Sequence, residues 1–253
     1  MTTIDLNSDM GEYDTPELLA REAQLMPFIT SVNIACGAHA GNRDLMRRTA
    51  KLAAQHGVAI GAHPGFPSAQ DFGRRDRSNS PEEVESLVTS QLKTLAEVLA
   101  SEGLILTHVK LHGALYNSAA RDRAVADAFT RAVASFDRHL LLFALAGSVL
   151  VERGTAAGLI VVQEAFADRG YRSDGTLVPR SQPGALLQTE SQVRQQLRET
   201  LGGYVTSIDG QRVALQADSL CVHADTPHAV EFVQLVRHEI ESAGIYIAKP
   251  QQP

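Results

Sequence analysis

Apolar and polar positions along the chain fall into two rhythms. Short runs rich in Val, Ile and Leu recur at residues 2–9, 28–36, 57–63, 104–112, 140–147, 159–166 and 219–225, each about the length of a strand. Between several of them, apolar residues return every three or four positions, as on one face of a helix. The clearest helical segment opens at Ser80-Pro81-Glu82-Glu83. A serine N-cap, a proline in the first turn and a glutamate three residues on make a start signal. Its apolar stripe is Val84, Leu87, Val88, Leu92, Leu95 and Leu99, and Gly103 closes it. Another helix is expected from about Thr226-Pro227 to Gly244. Such alternation predicts an α/β fold on a parallel sheet, and seven strands fit either a doubly wound sheet or a closed barrel. No linker-like or low-complexity stretch interrupts it, so residues 1–253 read as a single domain.

Two regions break the rhythm. Residues 167–189 form a long polar loop, expected to serve as a lid or docking surface. Residues 203–216 read as a hairpin turned at Asp209-Gly210.

Polar residues gather at the carboxyl ends of the strands. The first run ends Asn7-Ser8-Asp9 with Glu12 beyond, the second carries Asn33 and leads to His39, and the third ends at His63. The fourth contains His108, Lys110 and His112 on alternate positions, hence on one face. The sixth ends at Glu164 before Asp168 and Arg169, and the last ends His223-Ala224-Asp225. In an α/β fold that end of the sheet builds the site. Lys110 and His112 are therefore expected in a shared pocket, while His108 suits a pocket or a hydrogen-bonded core equally. Arg74, Arg169 and Arg180 suit carboxylate or phosphate binding. His56, His139 and His238 read as structural or solvated, and His228 falls near the rim.

Composition narrows the classes. A net charge of −6 with a pI near 5.8 argues against nucleic-acid or anionic-membrane partners. No 18-residue apolar stretch spans a membrane, and the first residues lack a signal peptide's pattern, so a cytoplasmic location is expected. Cys36 and Cys221 make no CxxC and read as free thiols. Asp9, His39 and His63 could hold a metal, although no HExxH-like spacing supports one. No G-x-S-x-G and no G-x-x-x-x-G-K-[ST] occurs, so serine catalysis and a phosphate loop are not expected.

Six blocks, IDLNSDMGE, NIACGAHAG, VAIGAHPGFP, HVKLHGALYN, EAFADRGYRSDGTLVPRS and CVHAD, together resemble the LamB/YcsF family, which supplies one of the three subunits of bacterial ATP-dependent 5-oxoprolinase. The resemblance runs from residue 4 to about 247. It implies a distorted seven-stranded (β/α) barrel related to glycoside hydrolase and deacetylase folds, and cleavage of 5-oxo-L-proline to L-glutamate as ATP is split. It further implies partner subunits B and C, with ATP and its Mg2+ bound alongside them; a metal held by this chain is left open. Within that reading Asp9 or Glu12 serves as general base, Lys110 stabilises developing negative charge, and His39, His63 and His112 move protons or hold the intermediate. Arg169 or Arg180 takes the substrate carboxylate. Asn7, Asn33, Arg74, Glu164, Asp168, His223 and Asp225 line the substrate site. The alternatives are a stand-alone metal-dependent amidohydrolase or deacetylase, and a protein that binds substrate without catalysis.

Overall fold

The computed structural model describes residues 3–67, 70–225 and 228–251. Six strands come first: β1 (Thr3–Met10), β2 (Ser31–Ala35), β3 (Ala59–His63), β4 (His108–Lys110), β5 (Leu141–Leu145) and β6 (Val161–Phe166). A small antiparallel hairpin of β7 (Tyr204–Thr206) and β8 (Arg212–Ala214) follows, then β9 (Ser219–Cys221) and β10 (Tyr246–Ile247). Strands β1 to β6 pair in sequence, β9 joins β6, and β9 pairs back onto β1, all in parallel. The sheet is thus closed by seven strands, and the barrel expected from the sequence is the fold. An eighth strand, β10, lies outside the ring against the start of β1. With two residues, it is too short for periodicity to signal.

Eight helices connect the strands among the described residues: α1 (Pro16–Leu25), α2 (Arg43–Gln55), α3 (Pro81–Ser101), α4 (Gly113–Arg121), α5 (Arg123–Phe136), α6 (Val149–Ala156), α7 (Glu190–Leu201) and α8 (Ala229–Ser242). Helix α3 begins as its sequence dictates. Ser80 accepts the Glu83 amide, the Glu83 carboxylate returns to the Ser80 amide, and Pro81 opens the first turn. Its Val84, Val88, Leu92, Leu95 and Leu99 are buried. The expected start of the last helix at Thr226-Pro227 lies outside the described residues.

Every ring strand after β1 is shorter than its apolar run. Residues 104–107 precede β4 and are tied to β3 by the Thr107 amide, which donates to the Ile60 carbonyl (2.8 Å). Residues 26–28 turn as a 3-10 helix at Pro27, so β2 starts at Ser31. The loop at 167–189 folds back on itself. Tyr171, Val178 and Ala185 are buried in it, and short bridges link Arg169 with Leu186 and Tyr171 with Leu177.

Most of the apolar core lies between barrel and helices. The barrel interior is largely polar. Asp5, Asn7 and Asp9 alternate along β1 and share its inner face, as do His108 and Lys110 on β4. Desolvation makes such a filling costly unless every group is bonded, and it is. Asp5 accepts from Thr30 (2.7 Å), Ser31 (2.6 Å) and Ser219. Asn7 donates to Glu164 (2.9 Å) and Ser219 (2.8 Å). Asn33 donates to Asn7 (2.8 Å) and Asp9 (2.9 Å) and accepts from Nε2–H of His108 (3.0 Å).

Candidate active site

This polar column opens at the carboxyl ends of the strands into a cavity of about 570 Å³. Its walls include Asp9, Glu12, His63, Lys110, His112, His223, Asp225, and the arginines Arg74, Arg169 and Arg180.

Lys110 forms the floor. Its Nζ donates to Asn7 (3.2 Å), lies 3.0 Å from Asp9 Oδ1 and 2.6 Å from Glu164 Oε1, and is 3.2 Å from Cys221 Sγ. Burial disfavours the ammonium, but Asp9 and Glu164 outweigh it and hold the pKa well above the usual lysine value. Burial would likewise raise Asp9, yet His63 and then Lys110 hold its carboxyl well below the usual range. Tyr116 donates to the second oxygen of Glu164 (2.8 Å). Sequence reasoning missed Tyr116, which sits within the HGALYN block at a position that reads as plain helix interior.

A histidine cluster stands above the lysine. His63 Nδ1–H donates to the Lys110 carbonyl (2.9 Å), and its Nε2 is 3.3 Å from Asp9 Oδ2. His112 Nε2–H donates to the Phe72 carbonyl (2.9 Å), and its Nδ1 meets His63 Nε2 at 3.0 Å. Phe72 takes a left-handed backbone (φ 56°) that no sequence signal announced. His39 stacks on His112 with ring centroids 3.8 Å apart, and burial pushes its pKa down to about 3. Glu12 lies 3.5 Å from both His39 Nε2 and His112 Nδ1. Burial raises the Glu12 carboxyl to about 7.

Within 4.8 Å of Asp9 and Cys221 stands His223, the imidazole of a carboxylate–imidazole pair. His223 Nδ1 is 3.0 and 2.9 Å from the two oxygens of fully buried Asp168. Burial works against that carboxylate, but His223 outweighs it and keeps Asp168 ionised. The donated Nδ1–H leaves Nε2 as the basic nitrogen of the neutral ring.

The arginines divide. Arg74 and Arg180 converge on Asp225 Oδ2 at 3.0 and 3.3 Å, at the cavity mouth. Arg169 also lines the cavity, but its Nε and Nη2 donate to the carbonyls of Ala185 (3.0 Å) and Val178 (2.7 Å), bracing the loop. His108 lies beneath the cavity in the hydrogen-bonded interior, its ring crossing Gly61. Asn7 and Asn33, fully buried, join it there rather than in the wall. His139 is exposed beside Asp137, and His228 caps α8 with a left-handed backbone (φ 65°). Cys36 and Cys221 are free and buried. Among the described residues no helix is long and apolar enough to cross a membrane.

The LamB/YcsF family model matches residues 4–253. The chain belongs to this family. The A subunit of 5-oxoprolinase from Symbiobacterium thermophilum is 49% identical over 248 residues, covering 98% of this chain and 95% of that one. The lactam utilization protein from Thermus thermophilus superposes with a TM-score of 0.86 at 43% identity, covering 97% and 99% of the two chains. The Xyl-CE4 domain of a multidomain xylanase from the hindgut metagenome of Trinervitermes trinervoides gives a TM-score of 0.50 at 10% identity, covering 98% and 86%, a likeness of fold alone.

Proposed function

We propose that this chain is the lactam-opening component of an ATP-dependent 5-oxoprolinase, acting in the cytoplasm with subunits B and C to turn 5-oxo-L-proline into L-glutamate. The names of its full-length relatives support the substrate class. The observation that carries the chemistry is the Asp168–His223 pair, whose histidine lines the cavity with the buried carboxylate behind it. A five-membered lactam is a stable amide, and phosphorylation of its oxygen, with ATP and Mg2+ at the partner subunits, makes its carbonyl carbon electrophilic.

His223 takes a proton from the attacking water through Nε2, and Asp168 stabilises the imidazolium that forms. Water oxygen bonds to the carbonyl carbon, the carbon–nitrogen bond breaks as His223 returns its proton to the departing amine, and a second water hydrolyses the resulting γ-glutamyl phosphate to L-glutamate and inorganic phosphate. Arg180, with Arg74, binds the substrate carboxylate in exchange for Asp225. Lys110 has its donors committed to Asn7, Asp9 and Glu164, so it acts as a fixed positive charge beneath the reacting centre. Of the two general bases the sequence suggested, Asp9 is pinned to Lys110 and held a poor base, while Glu12 is turned to His39 and His112; this reading gives the proton transfer to His223 instead.

The test is reconstitution. Subunits B and C are incubated with ATP and 5-oxo-L-proline, with and without this chain, and glutamate is measured. Glutamate formation only when all three are present is expected, as is no phosphate release by this chain alone. Glutamate formed at an equal rate without this chain would overturn the reading.

A further inference from the structure

His63 and His112 are each pinned through one ring nitrogen to a main-chain carbonyl, those of Lys110 and Phe72. The tautomers that these bonds fix leave Nε2 of His63 and Nδ1 of His112 without hydrogens. Yet these two nitrogens face each other at 3.0 Å. Two lone pairs point into one space. A third donor, Oε1 of Glu12, is 3.5 Å from His112 Nδ1, and Oδ2 of Asp9 is 3.3 Å from His63 Nε2. Beside them both ring nitrogens of buried His39 lack a hydrogen-bond partner among the described residues.

We propose that Glu12, His63 and His112 form a binding site for one divalent transition cation, with Asp9 at its edge. Three observations converge on it. Donors about 2.1 Å from a tetrahedral ion stand about 3.4 Å apart, close to the separations of 3.0, 3.3 and 3.5 Å found here. Metal-bound imidazoles characteristically donate their other N–H to a carbonyl or carboxylate, and both rings do so. Lys110 engages Oδ1 of Asp9, while Oδ2 is turned to His63. Two imidazoles with a carboxylate favour Zn2+ over Mg2+ or Ca2+. The set exchanges His39 and Asp9 of the sequence-based triad for His112 and Glu12 at its centre. A shared proton could bridge the two rings, but it would leave Glu12 unengaged. A cation here supplies Lewis-acid polarisation to an oxygen held in the cavity. The proposal concerns binding alone and does not rest on the identity of the substrate.

The experiment uses the full chain, freed of metal by chelator. Zn2+ is titrated by calorimetry and Co2+ by visible absorption. Saturation near one ion per chain, with Co2+ ligand-field bands and a raised melting temperature, is expected. His112→Ala should weaken binding by on the order of 100-fold, whereas His56→Ala, at the end of α2, should leave it unchanged. Absence of saturable uptake by the folded wild-type chain overturns the proposal, whatever the variants do. So does His112→Ala binding as tightly as wild type, or an imidazolium signal from His63 in nitrogen NMR of protein that takes up no cation.

Discussion

Nζ of Lys110 stands 2.6 Å from Oε1 of Glu164, and neither side chain is more than 2% exposed. Removing one member of such a pair strands the other charge in the barrel. Lys110→Met keeps the stem and deletes the ammonium, leaving Glu164 and Asp9 unpaired. It should cost roughly 3–5 kcal/mol of stability. Urea denaturation at neutral pH measures this, and a loss within experimental error would show that the pair is dispensable to the fold.

Gly61 and His108 are coupled by contact. A β-carbon on Gly61 would stand 2.1 Å from Nε2 and Cδ2 of His108. Gly61→Ala should therefore displace the ring, break its bond to Asn33 and cost about 2–3 kcal/mol. Adding His108→Ala should relieve the clash, so the two substitutions should be strongly non-additive. Additive losses in the double-mutant cycle would contradict this.

The barrel was legible because short runs rich in Val, Ile and Leu alternate with helix-period segments, and Ser80-Pro81-Glu82-Glu83 announced α3. The convergence of Lys110, His112, Asp9 and Glu12 was legible because all four fall at the carboxyl ends of strands, where an α/β fold gathers its site. Asp5 carried the same signal, two residues before Asn7, yet the interior layer it builds with Ser31 and Ser219 went unread. The fate of the arginines was not legible. Whether Arg169 faces a ligand or two carbonyls depends on how residues 167–189 fold back, which no local pattern encodes. Nor could spacing reveal that His63 and His112 share a gap, because their tautomers depend on carbonyls of Lys110 and Phe72.

Asp5 gives a pH signature. Burial raises its pKa from 3.8 to about 6, against the opposing bonds from Ser219, Ser31 and Thr30. The folded state then holds a proton that the unfolded state releases, so stability contributed here falls as pH rises from about 4 to about 6. The size is on the order of 3 kcal/mol. Asp5→Asn removes the titration. The stability of wild type relative to Asp5→Asn should fall across that window and level off above it. A constant difference would show that Asp5 is ionised throughout.

Arg180 reaches Asp225 at 3.3 Å from the cavity mouth, where Arg74 shares the same oxygen. Arg180→Gln should raise KM for 5-oxo-L-proline by about 10-fold or more, with a smaller change in kcat, as expected for a group that binds ground and transition states alike. Steady-state kinetics of the reconstituted complex decide it. An unchanged KM would move the carboxylate elsewhere.

The central claim is that the lactam opens in this cavity with proton transfer by His223, which Asp168 orients. The direct measurement is glutamate formation at saturating 5-oxo-L-proline and ATP by a complex reconstituted with Asp168→Asn, which keeps the side chain's size but loses the charge that orients His223. A fall in kcat on the order of 100-fold or more is expected, with a cooperative melt retained. Turnover at the wild-type rate would contradict it.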